Sequence, residues 1–196
     1  MPLIGFDAID SAGKTTLVNG VVQGLRDNGY DKINVLHFPD KDAPVGELIY
    51  KILRDPLLLT DPFSLALLYE VDRRRKLADM TVGKTSKDWW IILDRFYGSG
   101  LAYAKANGIT DAEYHILEQI CNRYQKPDKA FILDTPVESA LVRMSNRNKD
   151  TFESNSVLQH SVRQNLLDLA KRNGWYVLDG NKSPDILIQA VLRVIL

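Results

Sequence analysis

The sequence predicts an α/β fold in three layers, with a five-stranded parallel sheet flanked by helices. Five short apolar runs alternate with helical patterns along the chain, and this alternation is typical of a parallel sheet that carries helices on both faces. In two of the runs, at 89–93 and 130–134, consecutive apolar residues lead to an aspartate, as expected for strands that are buried on both faces. The runs span residues 3–6, 33–38, 89–93, 130–134 and 175–179.

Local signals place eight helices between and after these strands. Gly13 opens the first helix, and Gly108 and Gly174 end two later ones. Thr110 and Glu113 form the pattern of a capping box. The predicted helices span residues 13–27, 45–53, 60–80, 99–107 and 157–172, and three more begin near 110, 135 and 183. The polar segment 143–155 is predicted to be irregular.

Length and composition bound the classes of function. The 196 residues are enough for one domain, residues 1–196, and no repeat or linker divides them. The charges of the 25 basic and 25 acidic side chains cancel, so the formal net charge is zero, which argues against a nucleic-acid partner. The lone cysteine, Cys121, excludes an internal disulfide and fits a cytoplasmic location. No run is long enough to cross a membrane, and the early first strand leaves no room for a signal peptide.

The first strand leads through a loop of small residues into a helix. At such a junction, backbone N–H groups and the helix dipole bind phosphate. Residues 8–15 match the pattern G-x-x-x-x-G-K-[ST] except that Ala8 replaces the first glycine. In this pattern Lys14 neutralises the β- and γ-phosphates, and the Thr15 hydroxyl ligates Mg²⁺. A chance Gly-Lys-Thr is the alternative, and Ala8 suits the loop only where its φ is negative.

Charged residues follow the carboxyl ends of the predicted strands. Ligands of open parallel sheets bind beyond those ends, so these residues are expected to converge on one rim. They are Asp7, Asp10, Asp94, Arg95, Asp134 and Asp179. The three histidines, His37, His115 and His160, are isolated in the sequence, and we nominate none of them as a catalyst.

Several segments together resemble the thymidylate kinases, a family of P-loop nucleoside monophosphate kinases. Residues 7–16 read DAIDSAGKTT, where the family has roughly EGxDGxGKTT, and residues 38–41 read FPDK against FPxR. Residues 68–73 read LYEVDR against LFxxDR. The most specific match is DRFYGSGLAY at 94–103, where the family has DRY followed by SxxAY. With PD at 127–128 and VRQ at 162–164, the resemblance covers nearly the whole chain and implies a P-loop kinase fold with a short lid.

The resemblance implies an acceptor pocket for dTMP. Tyr69 would stack on the base, and Arg73, on the same helix face, would donate to O4 of the pyrimidine. Asp10 would accept a hydrogen bond from the 3′-hydroxyl, and Arg95 would clamp the acceptor phosphate. The other implied acceptor residues are Phe38, Lys41, Ser99, Gly100 and Tyr103. From the residues alone, the alternatives are core packing of Tyr69, a surface pair Glu70–Arg74 and an Asp94–Arg95 ion pair.

The resemblance also implies that ATP is the donor and that Mg²⁺ is the cofactor. The implied ATP-binding residues are Ser11, Ala12, Gly13, Lys14, Thr15, Thr16 and Asn181, and the implied metal residues are Thr15 and Asp94. Residues 143–155 would form the lid. Because position 11 is Ser, the arginine that some family members carry there is expected from the lid, as Arg143 or Arg147. A solvated charge run is the alternative for Arg147.

The predicted reaction is in-line phosphoryl transfer from ATP to dTMP, giving dTDP and ADP for DNA precursor synthesis, with Lys14, Arg95, Arg143 and Arg147 as the catalytic residues. A kinase with a broader or different nucleoside monophosphate or deoxynucleoside acceptor is the alternative, and a catalytically impaired relative is another. The GTPase patterns fail, because Pro184 and Tyr97 stand where Asp and Gly are required. We expect small nucleotides as ligands and, by analogy with the family, a homodimer.

Overall fold

The computed structural model describes residues 1–55, 57–58, 61–81, 89–144 and 155–196. Arg147 and nearly all of the predicted lid lie outside these residues. The described strands are β1 (Leu3–Ala8), β2 (Ile33–His37), β3 (Trp90–Asp94), β4 (Lys129–Asp134) and β5 (Tyr176–Asp179). The described helices are α1 (Lys14–Asp27), α2 (Pro44–Arg54), α3 (Pro62–Thr81), α4 (Tyr97–Ala106), α5 (Asp111–Cys121), α6 (Val137–Met144), α7 (Ser156–Asn173) and α8 (Pro184–Ile195).

The five strands form one sheet in the order β2-β3-β1-β4-β5, and every neighbouring pair is parallel. The α/β fold with a five-stranded parallel sheet is therefore confirmed. The register places His37 of β2 opposite Asp94 of β3, and Phe6 of β1 opposite the same aspartate. Because the strands are parallel, their carboxyl ends share one edge, which is where the polar residues collect.

Burial decreases from the centre of the sheet to its edge. Every residue of β1 and β3 is buried, whereas Tyr176 and Val177 of β5 are 40% and 50% exposed. Strand β5 is rich in apolar residues but is only partly buried, because it lies at the edge of the sheet and has one neighbouring strand. The main core packs helices against both faces of the sheet and includes Phe6, Leu17, Ile92 and Phe131.

Two predicted boundaries move for identifiable reasons. Helix α4 begins at Tyr97 and not at Ser99, because the carboxylate of Asp7 accepts hydrogen bonds from the backbone N–H of Phe96, just before the helix, and of Ser99 in its first turn. Helix α6 continues through Arg143 to Met144, so Arg143 stands on a helix and not in the irregular segment. The capping box at Thr110 and the left-handed glycine that ends α7 at Gly174 are as predicted.

None of the helices among the described residues combines the length and the apolar character that crossing a membrane requires. Cys121 is buried on α5, as expected for a small hydrophobic side chain.

Candidate active site

The loop between β1 and α1 forms a cradle at the carboxyl edge of the sheet. Gly13 is the residue before the first turn of α1, and its φ of 99° is accessible to glycine without strain. The carbonyl of Ala12 accepts hydrogen bonds from the Thr135 hydroxyl at 3.0 Å and from Arg143 Nη1 at 2.7 Å. The loop is thereby tied to the end of β4 and to α6.

The backbone of the loop accommodates Ala8 and strains a different residue. Ala8 is the last residue of β1, is fully buried, and does not have a positive φ. Ser11 has a φ of 54°, in the left-handed region that costs a non-glycine residue about 1–2 kcal/mol. The absence of a glycine at position 8 is therefore compatible with the loop, and the conformational cost lies at Ser11.

Lys14, Asp94 and His37 form one polar cluster beneath the loop. Lys14 Nζ pairs with Asp94 Oδ1, and His37 Nδ1 lies 2.8 Å from Asp94 Oδ2. Burial, together with the nearby charge of Arg95, lowers the pKa of Lys14 to about 7. Asp94 pairs with Lys14 and Arg95 pairs with Asp10, so the alternative of an Asp94–Arg95 ion pair is not formed. His37 is isolated in the sequence and lies at the site because it is opposite Asp94 in the sheet.

The residues at the start of α1 fit a magnesium ion. Thr15 and Thr16 are exposed and line the same cavity as Asp94. A hydroxyl and a carboxylate are the hard oxygen ligands that Mg²⁺ prefers, and Mg²⁺ commonly takes its other ligands from phosphate and water. Among the described residues no cluster of three acidic, histidine or cysteine side chains forms a metal cage. Thr15 and Asp94 stay the predicted protein ligands.

Arg95 is held in a fixed orientation at the end of β3. Its φ is 64°, its Nη1 donates to the Ala8 carbonyl at 3.0 Å, and its Nη2 pairs with Asp10 Oδ1. A non-glycine residue in the left-handed region at a site is a form of strain that surrounding contacts must maintain. The guanidinium therefore stands between the phosphate loop and the acceptor residues that the sequence predicts.

Asp7 organises the turn that carries Arg95. Its Oδ1 accepts hydrogen bonds from Phe96 N at 2.9 Å, Ser99 N at 3.0 Å and Ser99 Oγ at 2.5 Å. A Cβ atom on Gly98 would lie 2.6 Å from Asp7 Oδ2, so the close approach requires glycine. The hydroxyl of Ser99 is thus engaged by Asp7, and its predicted contact with the acceptor stays a prediction.

Asp10 is surrounded by donors from three elements. Besides Arg95, the Tyr103 hydroxyl donates to Asp10 Oδ2, and Gln159 Nε2 lies 3.3 Å from the same oxygen. Gln159 Oε1 in turn lies 3.4 Å from the Asp10 backbone N. Burial and the charge of Asp10 raise the pKa of Tyr103, so its hydroxyl remains a donor. Asp10 and Tyr103, predicted from the sequence, do meet in the structure.

Arg73 is buried in a closed aromatic slot between the rings of Phe38 and Phe96. It is 2% exposed, its Nη1 pairs with Glu70, and its Nη2 donates to the Phe96 carbonyl at 3.1 Å. Its guanidinium carbon is 5.7 Å from the ring centres of both Phe38 and Phe96. Glu70 pairs with Arg73 inside the protein, so the surface pair with Arg74 is not formed. A Cβ atom on Gly100 would be 3.2 Å from Arg73 Nη2, which places Gly100 beside the slot.

The segment that carries Phe38 and Lys41 is fastened to α3. Asp40 pairs with Arg75 and Lys76, each at 3.1 Å, and its backbone N donates to Asp72 Oδ2 at 2.9 Å. Lys41 itself is exposed. The contact of Lys41 with the acceptor phosphate stays a prediction, and it would come from an exposed side chain on a fixed backbone.

One cavity of about 700 Å³ joins most of these groups. Its lining includes residues of the phosphate loop, the Lys14–Asp94 cluster, the 38–42 segment, Arg95 and Arg143. Tyr69, Arg73, Ser99, Gly100 and Tyr103 are described but do not line this cavity. Asn181 lies in the turn after β5, where its side chain donates to Asp179. Of the two predicted lid arginines, Arg143 contacts the phosphate loop, and Arg147 lies outside the described residues.

The comparisons with known proteins agree with this geometry. A family model described as thymidylate kinase matches residues 6–191. The chain belongs to the thymidylate kinase family. A relative named probable thymidylate kinase 1, from Saccharolobus solfataricus, is 32% identical over 193 residues, which cover 98% of this chain and 96% of the relative. A probable thymidylate kinase from Methanobrevibacter smithii is 36% identical over 182 residues, which cover 91% and 85% of the two chains.

A solved thymidylate kinase structure shares the fold. The protein from Candida albicans superposes with a TM-score of 0.79 at 21% identity, and the match covers 99% of this chain and 90% of that chain. The P-loop kinase fold predicted from the motifs is therefore confirmed. The lid, the individual site residues and the predicted homodimer stay predictions.

The sequence did not predict two residues of the candidate site, His37 and Gln159. His37 carried no motif signal, although its place at the end of a strand beside Asp94 could have been inferred from the predicted parallel register. Gln159 is fully buried on α7, and a polar side chain next to Leu158 on the apolar face of a helix was the available signal. Both residues lie far in sequence from the carboxylates that they contact.

Proposed function

We propose that this member of the thymidylate kinase family transfers the γ-phosphoryl group of ATP to dTMP, giving dTDP and ADP for DNA precursor synthesis. One observation carries the proposal: the phosphate loop with Lys14 and the Arg95–Asp10 pair open on the same cavity of about 700 Å³. A donor phosphate on the loop and an acceptor phosphate at Arg95 can therefore meet within one cavity.

The residues on each side of the cavity suit different parts of the two nucleotides. The loop N–H groups and Lys14 bind the donor phosphates, with Mg²⁺ held by Thr15 and Asp94. The guanidinium of Arg95 binds the acceptor phosphate, and Asp10 accepts from the sugar hydroxyl. The flat base is placed beside Tyr69 and Arg73 of α3, which lie outside the lining of this cavity, and the Arg73 guanidinium supplies a donor to a carbonyl oxygen.

Catalysis in this arrangement consists of positioning and charge neutralisation. The attacking group is a phosphate oxygen that is already ionised near neutral pH, so no general base is required. Lys14 and Arg95 bring positive charge to the two phosphates, and Arg143 adds charge at the loop carbonyl of Ala12. When bound, Mg²⁺ supplies additional neutralisation of the phosphate charge. Exclusion of water from the cavity favours transfer over hydrolysis of ATP.

The proposal is tested by steady-state kinetics with a panel of acceptors. The full chain is assayed for ADP formation with dTMP, dUMP, dCMP, dGMP, AMP and thymidine at saturating Mg²⁺–ATP. We expect dTMP to give the highest kcat/KM, and thymidine to be poor because it lacks the phosphate that Arg95 binds. A preference for a purine monophosphate would contradict the proposed acceptor. A preference for thymidine would instead support a deoxynucleoside kinase.

A further inference from the structure

Tyr50 is a polar side chain in the cavity that none of the family motifs includes. It lies on α2, is half-buried, and lines the cavity together with Asp10, Lys14, Lys41 and Arg95. The proposed function assigns it no role. Because Tyr50 lines the cavity together with Lys41 and Arg95, the residues assigned to the acceptor phosphate, it is a candidate for contact with the acceptor.

The ring of Tyr50 is held by packing between two helices. Four buried side chains form a small apolar cluster, and Tyr50 packs against it together with Tyr69 of α3. The four are Ile49, Ile52, Leu53 and Leu65. A side chain that packing already fixes loses little further conformational entropy when a ligand arrives, so its hydroxyl is preorganised.

The hydroxyl of Tyr50 has no hydrogen-bond partner within the described part of the chain. The charges that act on it most strongly are those of Arg95, Asp72 and Asp10. Burial raises the pKa of this phenol above its ordinary value, so it remains an O–H donor at neutral pH. A fixed donor without a partner, in the same polar cavity as Arg95, is suited to an acceptor-only group of a ligand.

We propose that the Tyr50 hydroxyl donates a hydrogen bond to the phosphate of the acceptor nucleotide, beside Arg95. This inference rests on the proposed function. Phosphate oxygens accept hydrogen bonds and donate none at neutral pH, which matches the free donor. Both terminal nitrogens of Arg95 already donate to protein oxygens, one to Ala8 and one to Asp10. Lys41 is exposed, whereas Tyr50 is a packed side chain that adds a donor to the same cavity.

The test compares Tyr50→Phe with the unmodified chain in binding to two ligands. Calorimetric titration of dTMP and of thymidine, in separate experiments on the full chain, isolates the contribution of the phosphate. We expect Tyr50→Phe to raise the Kd of dTMP about 10-fold or more, which is the range for a hydrogen bond to a charged group. The Kd of thymidine should change less than about 2-fold, because thymidine lacks that group.

Tyr30→Phe is the matched control. Tyr30 is 39% exposed, packs on Trp90 and does not line the cavity, so its variant should bind both ligands as the unmodified chain does. Thermal unfolding of all three proteins checks that the variants are folded. An unchanged Kd for dTMP in Tyr50→Phe would overturn the inference, and so would an equal loss for both ligands. An unmodified chain that binds no dTMP would overturn the proposed function and the inference together.

Discussion

The donor side and the acceptor side of the cavity are built in opposite ways. The centre of the donor side is one continuous segment, the phosphate loop and the first turn of α1, and it relies on backbone N–H groups and one buried lysine. The acceptor side joins residues that are distant in sequence. Arg95 and Asp10 are 85 residues apart, and Gln159 and Asp10 are 149 apart.

This difference determines what each side depends on. A continuous loop keeps its shape largely through local backbone conformation, so single side chains there contribute chiefly to chemistry, apart from Lys14, whose removal leaves the buried carboxylate of Asp94 without its cationic partner. A site assembled from charge pairs across the fold links binding to stability, because a partner that is removed leaves an uncompensated buried charge. Substitutions on the donor side should therefore reduce turnover more than stability, and those on the acceptor side should reduce both.

The largest expected effect is that of Lys14→Met on turnover. The substitution keeps the buried aliphatic volume and removes the positive charge that faces the donor phosphates, so kcat should fall about 1,000-fold. Steady-state assays with dTMP and ATP measure the fall, and circular dichroism checks the fold. Lys171→Met, at an exposed position of α7, is the control and should retain full activity. A Lys14→Met enzyme with more than a tenth of the normal rate would contradict the assignment of the donor side.

Arg73→Met should have the largest effect on stability. Removing the guanidinium leaves Glu70, which is 6% exposed, without its ion partner. The expected loss is about 3 kcal/mol in the free energy of unfolding, measured by urea denaturation. Adding Glu70→Gln to this variant should restore at least half of the loss, because the uncompensated charge is then absent. A double variant no more stable than Arg73→Met would show that packing, and not charge, explains the effect.

Arg143→Ala should affect the donor and spare the acceptor. Arg143 Nη1 donates to the Ala12 carbonyl of the phosphate loop at 2.7 Å. Without it, the KM for ATP should rise about 10-fold, which corresponds to one charge-assisted hydrogen bond. The KM for dTMP should stay within about 2-fold of its normal value, since the acceptor contacts are untouched. Equal changes in both values would place Arg143 between the two substrates. If neither KM changes, Arg143 is not part of the site.

The smallest expected effect is that of Ala8→Gly, which tests whether the departure from the loop motif impairs the enzyme. Ala8 is fully buried in a strand, so glycine should destabilise the protein by about 1 kcal/mol through lost burial and greater chain entropy. The Tm should fall about 2–4 °C, and kcat should not change. A rise in kcat would mean that Ala8 restrains the loop, and it would support the alternative that this chain is a catalytically impaired member of the family.

Much of the fold could be predicted from the sequence because its signals are local. The apolar runs, the capping box at Thr110 and the glycine at 174 each depend on a few neighbouring residues. Helix α4 began two residues earlier than predicted because its start is capped by Asp7, from a strand 89 residues away in sequence. No local pattern contains such a contact.

The residues of the candidate site also divide into those that a local motif predicts and those that only the fold brings together. Lys14 and Thr15 followed from a spacing motif, whereas Asp10 and Arg95 were assigned through the family resemblance, and their pairing is visible only in the fold. His37 and Gln159 carry no motif and were missed. The left-handed backbone at Ser11 could not be foreseen either, because serine seldom adopts it.

The central claim is that one phosphoryl group passes directly from the nucleotide on the loop to the monophosphate held at Arg95. The most direct measurement is a single incubation of the full chain with γ-labelled ATP, Mg²⁺ and unlabelled dTMP, followed by chromatographic separation of the products. We predict that the label appears in dTDP in a one-to-one ratio with the ADP formed. Label recovered only in inorganic phosphate, or ADP formed at the same rate without dTMP, would contradict the claim.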